Sequence, residues 1–248
     1  MGQSLPDRQL AYEEDYNFRI TRRIPVVIRL NLRLFPKVTR RIQRPYCTRM
    51  IELMSHTLLD MAKQIDGAIF GYYHDDELIF ILKNNQTNDT DPWFGNRVQK
   101  ISSASAATAT YLFNRYHLEM SDPPDLSGQP IFMAHTFPLP DVTEVTNYLI
   151  FKQQMCITGA ITQAAKAELA KEYGIKKANK ILEGKDINER QDILVDYGID
   201  FMEYPAAFRN GIGTYVSGDK NKWILDVDLP YFTDNTGSRF IYGVYFNN

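Results

Sequence analysis

The 248-residue sequence is poor in cysteine and has no long apolar run. Its two cysteines, Cys47 and Cys156, are too few for a disulfide framework or a cysteine-ligated zinc site. The four histidines have no spacing typical of a metal site. No stretch approaches the roughly 18 consecutive apolar residues of a transmembrane helix, so we expect no membrane partner. These features favour a folded protein of the reducing cytoplasm.

Acidic residues are absent between residues 19 and 49, although the net charge of the chain is only −2. A solvated basic surface is one interpretation of this segment, but such surfaces usually mix both signs. The segment therefore predicts a folded surface that contacts phosphates. Its ten basic residues are Arg19, Arg22, Arg23, Arg29, Arg33, Lys37, Arg40, Arg41, Arg44 and Arg49.

The spacing of apolar residues predicts an α+β fold. Continuous apolar runs indicate buried strands, and a period of 3.6 residues indicates helices. The resulting order, βαββαβ, is that of a ferredoxin-like sheet, which we assign to a domain over residues 1–137. The elements are strand 23–30, helix 48–65, strands 67–73 and 78–82, helix 93–117 and strand 129–137.

Residues 138–248 are predicted to form a helical and β-hairpin extension packed on the ferredoxin-like domain. The aromatic and β-branched residues near the end of the chain predict a last strand. The predicted elements are helices 141–173, 176–182 and 187–197, strands 213–216 and 223–227 around the turn 217–220, and strand 239–246.

Carboxylates lie at the predicted turn between the second and third strands, at Asp75, Asp76 and Glu77. In a ferredoxin-like sheet this turn and the end of the first strand share one edge, so Asn31 is expected beside the carboxylates. Hard oxygen ligands suit Mg²⁺, and two such ions can clamp a phosphoryl transfer. The alternative is a simple polar hairpin turn, since turns favour aspartate.

Six segments match, in order, the motifs of one protein family. They are 25–35 (PVVIRLNLRLF), 44–46 (RPY), 67–77 (GAIFGYYHDDE), 132–141 (FMAHTFPLPD), 144–154 (EVTNYLIFKQQ) and 182–199, which contains LEGK. The chain thus resembles the tRNA(His) guanylyltransferase family, the reverse (3′-to-5′) nucleotide polymerases. The palm domain of that family has the ferredoxin-like order, so the resemblance implies that residues 1–137 form a palm-like nucleotidyltransferase core.

The resemblance implies a divergent, Mg²⁺-dependent nucleotidyltransferase. Such an enzyme adds a nucleotide from a nucleoside triphosphate, GTP or ATP, to an RNA 5′ end or a related acceptor. The implied partners are the nucleoside triphosphate, tRNA or another RNA, and further copies of the chain in a homo-oligomer, a tetramer by resemblance. Two Mg²⁺ ions are implied for a fully active site.

The resemblance also implies roles for individual residues. The implied catalytic residues are Asp76 and Glu77, and the implied metal ligands are Asn31, Asp75 and Asp76. The implied nucleotide-binding residues are Arg29, Leu32, Arg33, Leu34, Phe35, Arg44, His74 and Asp75. The implied nucleic-acid-binding residues are Arg40, Arg41, Lys152, Gln153 and Lys185.

The chain departs from the family pattern at positions that matter for catalysis. Asn31 stands where the family has its first metal aspartate, and Leu32 replaces the glycine that follows it. Met133 and His135 replace an aspartate and an arginine, and Gly159 replaces an asparagine. These departures keep two alternatives open, because a shared fold does not fix function. One is a weakened relative that binds nucleotide, RNA or a partner subunit, and the other is a structural subunit of an assembly.

Overall fold

The computed structural model of the chain describes residues 4–84, 91–217 and 222–247. The strands are β1 (Val26–Leu32), β2 (Ala68–His74), β3 (Glu77–Leu82), β4 (Phe132–Pro138), β5 (Ile212–Ser217) and β6 (Lys222–Asp226). The helices are α1 (Leu5–Asp15), α2 (Phe35–Val38), α3 (Thr48–Gln64), α4 (Val98–Glu119), α5 (Val142–Tyr173), α6 (Ile175–Leu182), α7 (Ile187–Asp196), α8 (Ala206–Asn210) and α9 (Asn235–Asn247). Short 3-10 turns occupy Trp93–Asn96 and Phe201–Glu203.

All described strands form one antiparallel sheet in the order β4-β1-β3-β2-β5-β6. The first four strands of this order are those of the ferredoxin-like sheet, so the predicted fold class is confirmed. The sheet does not end there, because β2 pairs with β5 and β5 pairs with β6. The predicted palm-like segment and the predicted extension therefore contribute strands to the same sheet.

Side-chain alternation along β1 explains how the sheet is covered on both faces. Ile28 and Leu30 point towards α3 and α4 and belong to one buried core, which also contains Leu53 and Phe113. Val27 points to the opposite face, where α5 and α9 pack. A strand covered on both faces needs a nearly continuous apolar sequence, and this is the pattern of residues 24–30.

The predicted last strand, 239–246, is wrong: this segment lies in helix α9. Its buried side chains are Ile241, Val244 and Tyr245, with Phe240 partly buried, and this spacing is that of one helical face. The aromatic and β-branched content suggested a strand, but the period of the apolar positions is helical. The predicted turn 217–220 lies largely outside the described residues.

Helix α1 has no counterpart among the predicted elements. Ser4 caps it by accepting a hydrogen bond from the Asp7 backbone N–H at 3.3 Å. None of its residues is buried, so it carries no apolar period from which to predict it.

Across the described ranges, no helix combines the length and the apolar character needed to cross a membrane.

Candidate active site

The turn between β2 and β3 places two carboxylates at one edge of the sheet. The turn consists of Asp75 and Asp76, and Asp75 adopts a left-handed conformation with φ of +49°. Asn31 is paired with Glu77 in the register of β1 and β3. The backbone N–H of Leu32 donates to the carbonyl oxygen of Asp76 at 3.0 Å. The end of the first strand and the acidic turn are thus neighbours, as the topology predicts.

A cavity of about 310 Å³ opens beside this turn. Its volume lies at the lower end of the range typical of small-molecule sites. One wall is the segment 42–47, a second is the turn, and a third is the face of α5 that carries Met155, Gly159 and Gln163. Tyr46 and Phe208 give the cavity an aromatic wall, with ring centroids 5.2 Å apart.

Gln163 links the basic segment to the acidic turn across the cavity. The Arg44 Nη1 donates to Gln163 Oε1 at 3.3 Å, and Gln163 Nε2 donates to Asp75 Oδ1 at 3.4 Å. Arg44 is exposed and makes no ion pair with any described residue, so its charge is available to an anion in the cavity. The sequence did not single out Gln163, although the spacing of Met155, Gly159 and Gln163 places all three on one face of a helix.

The carboxylate of Asp76 is held in an unfavourable environment. Its pKa is raised to about 6, chiefly by burial and then by the negative charges of Asp75 and Glu77. Crowded carboxylates of this kind are relieved by a cation. Arg44 forms no ion pair with Asp76: its hydrogen bonds go to Gln163 and Thr39, and its positive charge partly offsets the burial that raises the pKa of the neighbouring Asp75.

Glu77, in contrast, is already compensated by the protein. Its carboxylate lies 2.5 Å from Lys152 Nζ, 3.3 Å from His74 Nε2 and 3.6 Å from Arg29 Nη1. Burial alone raises the pKa of Glu77, but the contacts with His74 and Lys152 outweigh it and bring the pKa to about 2. Glu77 is therefore ionised throughout the physiological range and anchors an internal charge network.

The predicted nucleotide-binding residues fall into two groups. Phe35, Arg44, His74 and Asp75 line the cavity. The others lie along β1 and the residues that follow it, and they do not line the cavity: Arg29, Leu32, Arg33 and Leu34.

Three of the residues outside the cavity are engaged through other contacts. The Leu32 side chain is 1% exposed and belongs to the core beneath α3, so only its backbone faces the site. The Arg33 N–H donates to the Ile131 carbonyl at 2.8 Å. Leu34, with φ of +57°, is exposed and begins the turn into α2. The part of this loop that can meet phosphates is therefore its backbone and the exposed Arg33 side chain.

Two of the predicted nucleic-acid-binding residues lie inside the molecule. Lys152 is 3% exposed and bound to Glu77. Gln153 is 2% exposed, donates to the Pro230 carbonyl at 2.9 Å and accepts from the Phe232 N–H at 2.7 Å. We reassign both to the internal support of the site, since little of either side chain reaches solvent.

The other three predicted nucleic-acid-binding residues lie at the surface. Arg40 donates to Ser127 Oγ at 3.1 Å, and Arg41 pairs with Asp125 at 3.4 Å. Lys185 pairs with Glu189 at 3.2 Å.

The acid-free segment meets acidic residues from elsewhere in the chain. Five of its ten basic side chains form ion pairs: Arg19 with Glu14, Arg22 with Asp91, Arg29 with Glu77, Arg41 with Asp125, and Arg49 with Glu52 and Asp122. The segment is therefore less electropositive than its sequence suggests. Within the described ranges, Arg33, Lys37, Arg40 and Arg44 keep their charge without an acidic partner.

The acidic turn fits a single divalent cation that shares its coordination with a ligand. No group of three or more histidine, cysteine or acidic side chains suitable for a metal occurs in residues 4–84, 91–217 and 222–247. Mg²⁺ does not need such a cage, because it is usually held by one or two carboxylates together with substrate phosphates. Asp75 and Asp76 would supply those carboxylates, and Asn31 lies at the same edge of the sheet with a neutral amide.

Comparison with known proteins places this site in a family. The family model of tRNAHis guanylyltransferase (Thg1) matches residues 8–140, which is more than half of the chain. The structure is similar to a bacterial tRNA(His) guanylyltransferase (Thg1)-like protein in complex with ATP, with 27% identity and a TM-score of 0.83. That similarity covers 96% of this chain and 100% of the bacterial one.

Two curated relatives are more distant. A probable tRNA(His) guanylyltransferase of Homo sapiens is 23% identical over 204 residues, 80% of this chain and 64% of the human one. The uncharacterized protein R259 of Acanthamoeba polyphaga mimivirus is 25% identical over 122 residues, 47% of this chain and 41% of the viral one. The chain thus spans less than two thirds of the length of either relative. Its match to the family model nevertheless covers the acidic turn, the basic segment and β4, and the chain belongs to the tRNAHis guanylyltransferase family.

Proposed function

We propose that the protein is a nucleotidyltransferase that adds a nucleotide from a nucleoside triphosphate to the 5′ end of a tRNA or a related RNA. The observation that carries the proposal is the cavity in which Arg44 and the acidic turn face each other through Gln163. A site with a guanidinium that forms no ion pair with a described residue on one side and crowded carboxylates on the other suits a triphosphate with its counter-cation. Family membership and the ATP-bound bacterial relative support the same substrate class.

Different residues of the site would contact different parts of the triphosphate. Arg44 can donate to phosphate oxygens in bidentate geometry once it exchanges its hydrogen bonds to Gln163 and Thr39 for them. The aromatic wall of Tyr46 and Phe208 offers an apolar surface to the nucleobase. The backbone after β1, with Arg33 exposed beside it, approaches from the sheet edge.

Asp75 and Asp76 would hold one Mg²⁺ ion together with the triphosphate. Such an ion neutralises phosphate charge and polarises a phosphoryl oxygen. We propose one ion rather than two, because Asn31 is neutral and Glu77 is occupied by Lys152, His74 and Arg29. Glu77 then acts as a positioning residue that orders the edge on which Asp76 lies, and it does not exchange protons at neutral pH.

Transfer of labelled nucleotide to RNA tests this function. The protein is incubated with α-labelled GTP or ATP, Mg²⁺ and an RNA with a 5′-monophosphate or a 5′-triphosphate, and label in the RNA is measured. We expect incorporation by the natural protein, and a loss of at least about 100-fold in Asp76→Asn, because a carboxylate that holds the cation is removed.

Asp66→Asn is the matched control for this experiment. Asp66 is an aspartate next to the same strand, β2, but it is exposed where Asp76 is half-buried, and it lies at the opposite end of the strand from the acidic turn. This variant should retain full incorporation. Equal activity in Asp76→Asn and Asp66→Asn would overturn the metal assignment, and binding of nucleotide without any incorporation would favour a binding subunit instead.

We also propose that the protein forms a homo-oligomer, a tetramer by resemblance to the family. Helix α1 supports this proposal, because none of its residues is buried in one chain. Leu10, Tyr12, Tyr16 and Phe18 are 58 to 70% exposed along and just after this helix. Large apolar side chains gathered on one exposed element are typical of protein–protein contacts.

A further inference from the structure

A groove lined by lysines lies between α5 and α6, outside the cavity described above. Its volume is about 570 Å³, and it is wide open to solvent. Thr162 and Lys166 of α5 form one side, and Lys176, Asn179 and Lys180 of α6 form the other. Glu183 is the acidic residue of the lining, so the groove carries a net positive charge.

The lysines of this groove are free to bind an anion. Lys176 and Lys180 are four residues apart on one face of α6, and both are exposed. Over the ranges that the structure describes, Lys166, Lys176 and Lys180 form no ion pair, in contrast to Lys171, which pairs with Glu168 at 2.6 Å. Like charges at this spacing repel one another, and a bound polyanion removes that repulsion.

The groove lies next to the cavity along α5. Thr162 lines the groove, and its neighbour Gln163 lines the cavity. Gln163 and Lys166 are three residues apart, about 4.5 Å along the helix axis. Arg190 adds a further cation at this junction, since its Nη1 donates to Thr162 Oγ1 at 2.8 Å. A chain of phosphates that leaves the cavity beside Gln163 therefore meets Lys166 first and α6 next.

We propose that this groove binds the sugar–phosphate backbone of the acceptor RNA, with the reacting 5′ end in the cavity and the following nucleotides across Lys166, Lys176 and Lys180. This inference rests on the proposed function, because it takes the acceptor to be RNA. The lysines act as point charges and read no sequence, so the groove contributes affinity and direction rather than base preference.

The test measures RNA affinity in a charge-neutral variant of the groove, Lys176→Gln/Lys180→Gln. The control is Lys63→Gln/Lys100→Gln, which removes the same charge from exposed lysines of α3 and α4, on the other face of the sheet. The probes are two 3′-labelled single-stranded RNAs, one of about 20 nucleotides and one of about three, since only the longer one spans cavity and groove. Affinity is measured by fluorescence anisotropy from about 50 to 200 mM salt.

We expect the groove variant to bind the long RNA about 20-fold more weakly at about 0.1 M salt, with a log–log salt slope lower by about 1.4, because each single-strand phosphate contact contributes about 0.7. The short RNA and the control variant should behave as the natural protein does. Equal long-RNA affinity and slope in the two double variants would overturn the inference. An equal loss for both RNAs would also overturn it, since the effect would then lie in the cavity.

Nucleotide incorporation, measured in parallel, separates this inference from the proposed function. If the groove variant loses long-RNA affinity but the natural protein incorporates no nucleotide, the groove stands and the proposed activity fails. If the natural protein incorporates nucleotide and the groove variant binds the long RNA unchanged, the activity stands and the groove assignment fails.

Discussion

At the scale of single residues, the contribution of the charge network around Glu77 to the free energy of unfolding can be measured directly. Lys152→Met removes the closest cation and leaves a largely buried carboxylate with Arg29 and His74 alone. We expect the free energy of unfolding to fall by about 3 kcal/mol at pH 7, as is typical when one partner of a buried pair is removed. Urea denaturation in metal-free buffer measures it, and Lys152→Arg, which keeps the charge, is the control.

The pH dependence of this difference follows from the depressed pKa of Glu77. A carboxyl whose pKa is about 2 in the fold, below its ordinary value of 4.5, adds stability above pH 4.5 that is lost as the pH falls towards 2. The gap between the natural protein and Lys152→Met should therefore be widest near neutral pH and narrow below pH 4. A gap independent of pH would show that Lys152 contributes through packing alone.

The burial of Leu32 makes one substitution that would restore the family pattern unsuitable as a test. Leu32→Gly would recreate the family's glycine, but the Leu32 side chain is buried in the core and its removal leaves a cavity there. Such losses cost about 2 to 5 kcal/mol. Asn31→Asp alone is the cleaner way to return a carboxylate to the edge next to Asp76.

At the scale of elements, glycines on α5 and β2 have opposite roles. A Cβ added at Gly159, in the interior of α5, meets no heavy atom within 4 Å. Gly159→Ala should therefore stabilise the protein by about 0.5 to 1 kcal/mol, because alanine loses less backbone entropy in a helix. A Cβ at Gly71 would lie 2.7 Å from Thr214 Cγ2 on β5, so Gly71→Ala should destabilise by about 1 to 3 kcal/mol.

Thermal unfolding of the two variants measures this contrast. Gly159 also lines the cavity, so the affinity for ATP is measured beside stability. That open space is part of the cavity, so the added methyl group should lower ATP affinity if the nucleotide packs against this face of α5, and this effect is separate from the gain in stability. A destabilised Gly159→Ala would contradict the assignment of open space around α5.

Some contacts of the site could be predicted from the order of helices and strands, and others could not. The adjacency of Asn31 and Glu77 follows from topology, and topology follows from the period of apolar residues. The acidic partners of the basic segment cannot be predicted in this way. Arg41 and Asp125, for example, are 84 residues apart, and no local pattern links them. The burial of Lys152 and Gln153 could not be predicted either. A polar residue on a helix is expected to be exposed unless its buried partner is known, and those partners are distant in the sequence.

At the scale of the whole molecule, helix α1 is the proposed contact between copies of the chain. If its exposed apolar side chains cover another copy, deletion of residues 1–17 should reduce the mass in solution from that of an oligomer towards one chain. Multi-angle light scattering after size exclusion measures that mass. The substitution Leu118→Ser is the control, because Leu118 is 83% exposed but lies on α4. An unchanged mass after the deletion would place the contacts between copies elsewhere.

The length of α5 limits which insertions and deletions this protein can tolerate. Its 32 residues span about 48 Å and carry Lys152 beneath the acidic turn, Gln163 in the cavity and Lys166 in the groove. Each added residue rotates everything after it by about 100° and advances it by about 1.5 Å. One insertion between Gln163 and Lys166 would turn the lysine away from its groove while leaving Lys152 and Gln163 in place. Substitutions along this helix should therefore be far better tolerated than changes in its length, and changes of about seven residues, two full turns, better than changes of one or two.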